Sequence, residues 1–171
     1  MNSMKKISLI ATFTFLNCTA YAQDMQSTMT LQQRLGAEIG ALYLSQSSGG
    51  NTTTVLPMLN AKLWNKDSFA INTQIGGTAY KDQSTDKTFT IAVARINPIY
   101  QIAESKWSVE GLLGLQAWEG KGGAKADFGA RVNYDIKDLS QSYLDDASLG
   151  AGTVAHEEAV TYVTLGVKKW F

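Results

Sequence analysis

The chain has 171 residues, with 15 basic and 15 acidic side chains, one histidine, one cysteine and 44% hydrophobic residues. That is about one domain's worth of chain, and it has no basic surplus to suggest nucleic acid or an anionic surface as a partner. One histidine and one cysteine are too few for a structural metal site built on those ligands. No apolar run beyond the N-terminal segment is long enough for a transmembrane helix.

Lys5 and Lys6 precede a short apolar stretch, Ile7 to Leu16, and Ala20-Tyr21-Ala22 forms a small-x-small site before Gln23. This layout predicts a cleaved secretory signal peptide over residues 1–22, since ten apolar residues are too few to cross a bilayer as a helix. Asn17 stands before Cys18, where a lipoprotein signal would carry Gly, Ala or Ser, so lipidation is disfavoured. Cleavage would remove Lys5, Lys6 and Cys18, leaving 13 basic and 15 acidic residues, a net of −2, and no internal disulfide. An exported soluble domain often needs disulfides, whereas a closed barrel pairs every backbone group without them. Gln23 to Gln33 is polar and aperiodic and reads as a flexible lead-in.

From residue 34 onward, alternating stretches are separated by turn-rich breaks, and no amphipathic helix or heptad is evident. Leu35 to Ser45 sets Ala37, Ile39, Ala41 and Tyr43 against Gly36, Glu38 and Gly40. Thr53 to Trp64 sets Val55, Pro57, Leu59, Ala61 and Leu63 against Asn60 and Lys62, and Asn65 to Ser68 is a tight turn. Phe69 to Tyr80 alternates Phe69, Ile71, Thr73 and Ile75 with Asn72 and Gln74. In Thr88 to Ile102, Phe89, Ile91 and Val93 have one parity, while Ile96, Pro98, Tyr100 and Ile102 have the other. A bulge between Arg95 and Pro98 would put them on one face. Trp107 to Trp118 and Asp127 to Ile136 alternate cleanly, whereas Leu139 to Ala151 is interrupted by Asp145-Asp146. The last strand, within Ala159 to Phe171, places Val163, Leu165 and Val167 opposite Tyr162, Thr164, Gly166 and Lys168.

The reading is therefore all-β, with eight strands, each with at least the roughly 9–11 residues that a tilted strand needs to cross a bilayer. Connections 47–52, 81–87, 119–125 and 152–158 are longer or richer in Gly and charge than 65–68, 103–106 and 137–141. Aromatics cluster at the short-turn end (Trp64, Phe69, Tyr100, Trp107, Tyr134, Trp170, Phe171), and Tyr43, Tyr80 and Trp118 fall near the other end. Two aromatic belts are expected where rings settle at both membrane interfaces.

The signal segment, the eight alternating stretches and the terminal Phe171 together resemble the small eight-stranded outer-membrane β-barrels of Gram-negative bacteria, of the OmpX and OmpA membrane-domain type. The resemblance covers nearly all of residues 34–171 and implies an antiparallel up-and-down transmembrane barrel with both termini periplasmic. It implies contact with outer-membrane lipid and lipopolysaccharide, and assembly by the barrel-assembly machinery. Thr164, Gly166 and Phe171 match the C-terminal signal read by that machinery. Lys169 departs from it, because a hydrophobic residue usually stands there, although a lysine near the interface can snorkel.

With apolar faces outward, the lumen would receive Glu38, Lys62, Arg95, Glu110, Asp127, Arg131, Asp135 and Lys168, four acids and four bases. Eight strands enclose a lumen that side chains can fill, so these charges would pair and plug it. A narrow ion or proton path along Glu110, Arg131 and Asp135 is the alternative use of the same residues. His156 lies in Ala155-His156-Glu157-Glu158 and is the one candidate base. Lipid A deacylases are small barrels that pair a histidine with a serine two residues later, but here that position is Glu158. Gly49-Gly50, Gly76-Gly77 and Gly120 to Gly123 lack phosphate-loop spacing, so no cofactor is expected. The expected role is structural or adhesive, through loops Ser47–Thr52, Lys81–Lys87 and Glu119–Lys125 and an extracellular ligand. An outer-leaflet lipid-modifying enzyme and a soluble periplasmic carrier of lipocalin type are the alternatives.

Overall fold

A computed structural model describes residues 35–46, 51–81, 88–119, 123–141, 143–155 and 160–171. The expected signal peptide, the lead-in, His156 and most of the three loops named above lie outside the described residues. Eight strands run in chain order: β1 (Leu35–Gln46), β2 (Thr52–Lys66), β3 (Phe69–Lys81), β4 (Thr88–Gln101), β5 (Trp107–Trp118), β6 (Ala124–Asp135), β7 (Asp146–Val154) and β8 (Val160–Trp170). Each pairs antiparallel with its sequence neighbours, and β1 pairs with β8 from Gly36↔Trp170 to Gln46↔Val160, closing the barrel. Closure leaves no sheet edge, so the ladder itself satisfies the backbone groups.

The two faces of the sheet follow the period-two pattern of the sequence. Ile39, Val55, Leu59, Ile96, Leu113, Leu115, Phe128, Leu149 and Leu165 are exposed on the outer face. Soluble monomers rarely expose contiguous apolar patches beyond a few hundred Å², and here the apolar band circles the molecule. At the turn end it is rimmed by Phe69 against Tyr100 (ring centroids 5.0 Å apart) and Trp107 against Tyr134 (4.6 Å). The register of β2 on β3 shifts between Lys62 and Trp64, where Leu63 is the extra residue. This bulge leaves Trp64 opposite Ile71, on the outer face.

Four details differ from the sequence reading. First, β4 is continuous against β3 from Phe69↔Tyr100 to Lys81↔Thr88, so there is no bulge between Arg95 and Pro98. Ile91 and Val93 instead point inward and are buried, and their parity was never in conflict with that of Ile96. Second, β7 begins at Asp146 and not at Leu139, and residues 136–141 and 143–145 form a hydrogen-bonded turn. Third, the loop-end belt is reduced to Tyr43. Tyr80 and Trp118 are 4% and 3% exposed and meet inside the barrel at 5.8 Å, and Trp170 also turns inward, over Gly36. Fourth, the interior is not uniformly polar. Leu42, Leu44, Leu56, Ile91, Leu112, Val154 and Val160 are buried within it and dominate toward the loop end.

Packing inside so narrow a cylinder needs recesses. A Cβ on Gly152 would overlap the Tyr162 phenol and the Phe128 carbonyl, and one on Gly114 would collide with the backbone and side chain of Arg95. These glycines are the sockets for the largest inward side chains. The tight turn between β2 and β3 is Asp67-Ser68, with Asp67 at φ 53°, a left-handed conformation that Asp tolerates.

Gly152→Val is expected to lower the unfolding free energy by about 1–3 kcal/mol or more through overpacking. Gly123→Ala, at φ 80° with nothing within 4 Å of the added carbon, should cost only the backbone strain of about 1–2 kcal/mol. Urea unfolding of both variants in lipid vesicles checks the order.

Candidate functional site

The inward faces of the strands bring six of the eight anticipated charges together. Register does this locally: Glu38 stands opposite Lys168 across β1 and β8, and Glu110 opposite Arg131 across β5 and β6. Opposite charges on facing cross-strand positions attract without reorganisation. Arg131 also spans the lumen. Its Nε donates to Glu110 Oε2 at 2.6 Å and its Nη1 to Glu38 Oε1 at 2.6 Å. Lys168 Nζ lies 3.7 Å from both Glu38 Oε2 and Glu110 Oε2.

Carboxamides satisfy the remaining lone pairs. Gln74 Nε2 donates to Glu38 Oε2 (3.0 Å) and to Asn60 Oδ1 (2.7 Å). Asn97 Nδ2 donates to Gln74 Oε1 (2.7 Å) and Glu110 Oε1 (2.8 Å), and Asn133 Nδ2 to Glu110 Oε2 (3.1 Å). The network therefore takes side chains from every strand except β7.

A second cluster centres on Asp127. Arg95 Nε donates to its Oδ2, Gln116 Nε2 donates to the same oxygen at 3.1 Å, and the Tyr162 hydroxyl donates to Oδ1 at 2.6 Å. Trp118 Nε1 donates to Gln116 Oε1 at 3.2 Å, linking this cluster to the apolar lining. Arg95 also lies 5.3 Å from the centroid of the Tyr162 ring. Glu38, Glu110 and Asp127 balance Arg95, Arg131 and Lys168, and all six are buried. A buried charge is costly unless paired and hydrogen-bonded; pairing offsets part of that cost here, while Nη2 of Arg95 and of Arg131 finds no protein partner. The arrangement ties strands across the lumen, and every carboxylate in it is held by a cation or an N–H or O–H donor.

Lys62 and Asp135 stand apart from this network. Lys62 is at the turn-end mouth, its Nζ 4.4 Å above the Trp170 ring, and the Trp170 Nε1 donates to Asp146 Oδ2 at 3.1 Å. Asp135 is half-buried and its Oδ1 accepts the Lys137 backbone N–H at 3.0 Å. A continuous path along Glu110, Arg131 and Asp135 is therefore not assembled, and Trp170 packs on Gly36 between Lys62 and Lys168. Thr164 and Gly166 line the interior, and Phe171 is exposed, its N–H donating to the Leu35 carbonyl at 2.8 Å. Lys169 faces outward beside Ala37 but reaches Asp145 Oδ2 at 3.5 Å, which accounts for a cation at an otherwise apolar position. Asp145 also accepts the Trp170 backbone N–H. Its role at the junction of β7 and β8 had no sequence signal, because it lies in a stretch with no apolar face.

The sequence matches no protein-family model and no curated protein. Solved structures do resemble the barrel. The Yersinia pestis outer membrane protein Ail, in a phospholipid bilayer nanodisc, is 13% identical, with 80% of this chain and 99% of Ail covered at a TM-score of 0.53. The outer membrane enzyme PagL is 12% identical over 78% of this chain and 99% of PagL, at 0.57. Neisserial surface protein A is 16% identical over 80% of this chain and 96% of its own, at 0.50. Ail, the attachment invasion locus protein, has also been solved with the heparin analogue sucrose octasulfate. At these identities the likeness is one of fold: this chain is an eight-stranded antiparallel barrel of the kind found in small Gram-negative outer-membrane proteins, among them both an enzyme and a surface protein.

Tyr162→Phe keeps the ring beside Arg95 but removes the donor to Asp127. It is expected to lower stability by about 1.5–3 kcal/mol, the range for a hydrogen bond to a charged group. The urea midpoint in vesicles reads this directly.

Proposed function

We propose that this protein is a non-enzymatic outer-membrane barrel with a sealed lumen, which acts through its loops. The observation that carries this reading is the pairing of a continuous apolar outer band with a filled, charge-neutral interior. In this reading residues 1–22 are the export signal, and Thr164, Gly166 and Phe171 are recognised by the barrel-assembly machinery. The termini and the turns 67–68, 102–106 and 136–145 face the periplasm, and the longer connections face outward among lipopolysaccharide. The adhesive or ligand-binding role rests on the three loops Ser47–Thr52, Lys81–Lys87 and Glu119–Lys125. The barrel shared with Ail supports it only as an analogy of fold. Glu158 stands where a histidine-dependent deacylase would place serine.

The test is electrophoretic migration of membrane fractions with and without boiling, combined with planar-bilayer recording. A closed barrel resists detergent and migrates differently unheated, and its packed lumen gives no stepwise conductance. Identical migration, or recovery of the protein in the soluble fraction, would remove the membrane reading; steady single-channel steps would remove the sealed lumen.

A further inference from the structure

The connection between β6 and β7 is unlike the others at its end of the barrel. Asp67-Ser68 is a two-residue turn, whereas residues 136–145 form a ten-residue excursion. Its described residues carry hydrogen bonds of their own. The Leu139 and Ser140 N–H groups donate to the Ile136 carbonyl (3.0 and 2.9 Å), and the Tyr143 N–H donates to the Ser140 carbonyl (3.1 Å). Ser140 Oγ accepts the Leu144 N–H (3.1 Å) and donates to the Leu144 carbonyl (2.7 Å). On this scaffold Leu139 and Tyr143 are 76% and 77% exposed, more than any other large apolar residue of the described chain.

The excursion is also fastened to the aromatic rim. Lys106 Nζ donates to Asp138 Oδ2 at 2.6 Å, and the Asp135 N–H donates to the Lys106 carbonyl at 2.9 Å. Lys106 immediately precedes Trp107, whose ring packs on Tyr134 on the outer face. The hydrogen bond from Lys106 and its charge hold the Asp138 carboxyl below its ordinary range. Leu139 is thus adjacent in chain to a residue pinned at the base of the outer apolar band. Ile102, exposed in the neighbouring turn, and the cation Lys137 lie at the same end.

We infer that the 136–145 excursion is a membrane-surface wedge, with Leu139 and Tyr143 seated in the headgroup layer of the leaflet at the turn end. The inference rests on the membrane-spanning reading above. Its occupant is phospholipid and not a second protein chain, because Asp138, next to Leu139, is paired with Lys106, which adjoins Trp107 of the aromatic rim that this reading gives to lipid. A turn already held by internal hydrogen bonds loses less entropy on insertion, and Tyr with Leu beside a lysine is the composition that settles at an interface.

Site-directed spin labelling tests it. Cys18 is the sole cysteine, so a Cys18→Ser background accepts single cysteines at 139, 143, 67 and 113 in the full chain. Each labelled protein is placed in vesicles of phosphatidylethanolamine and phosphatidylglycerol, and collision with oxygen is compared with collision with a water-soluble nickel chelate. Labels at 139 and 143 are expected to favour oxygen several-fold more than the label at Asp67, approaching the value at Leu113 in the mid-band. Values at 139 and 143 equal to that at Asp67 would overturn the wedge. Shielding from both reagents with dipolar broadening between labels would overturn it in favour of a second copy. An aqueous reading at Leu113 would instead sink the membrane reading beneath it. Serine at both positions, with unchanged heat-modifiability, should leave a label at 137 more accessible to nickel; no change there would also count against the wedge.

Discussion

Closing eight strands into a ring forces about half of every strand's side chains into a cylinder with no room for bulk water. Everything else in this molecule answers that constraint. Polar side chains in such a space must satisfy one another: Glu110 accepts from Asn97, Arg131 and Asn133, and Arg131 is the group that crosses between distant strands. It joins β5 and β6 locally and β1 across the lumen, while Lys168 adds β8 to the same pair of carboxylates. The barrel seam between β1 and β8 is thereby fastened by ion pairs as well as by its ladder. Inward glycines belong to the same solution, since a cylinder this narrow admits an arginine or tyrosine only where the facing position has no side chain.

The interior is also divided along its length. Toward the turn end it is a web of carboxamides and charges, with Trp170 packed beside Lys62 and Lys168. Toward the loop end it is lined by leucine, isoleucine, valine and aromatic side chains around the smaller Asp127 cluster. An apolar lining on that side excludes water as well as filling space, which strengthens the ion pairs behind it. The consequence for function is that chemistry or recognition is displaced to the loops and the rims. A protein whose centre is occupied in this way offers its outer surface and its connections as working parts.

Much of this was legible in the sequence, and the failures are instructive. Strands β1, β3, β5, β6 and β8 follow from alternation alone, because one wet face and one greasy face impose a period of two. Glu38, Glu110, Asp127, Arg131 and Lys168 share the parity of glycines and carboxamides, so their inward direction could be read directly. Alternation fails as a guide where both faces are apolar. Equating apolar with lipid sends Ile91 and Val93 outward and requires a bulge, whereas both face the interior of a continuous strand. The same equation puts Trp118 and Tyr80 in a belt, although they meet inside the barrel. Pairing across the lumen, such as Arg131 with Glu38 at a separation of 93 residues, depends on strand tilt and register, and no local pattern encodes it. The excursion at 136–145 carried the apolar content of a strand without its alternation, and the double aspartate marked where the strand begins, not an interruption within it.

The central claim is that the Arg131–Glu38 pair holds the closed barrel together across its lumen, and a double-mutant cycle measures it. Glu38→Met, Arg131→Met and the double variant would be unfolded in urea from vesicles. Each single change leaves a buried charge uncompensated and should cost about 3–5 kcal/mol, while the double restores neutrality and should cost clearly less than the sum. Additive losses across the cycle would show that the two side chains do not act together, and would contradict the account.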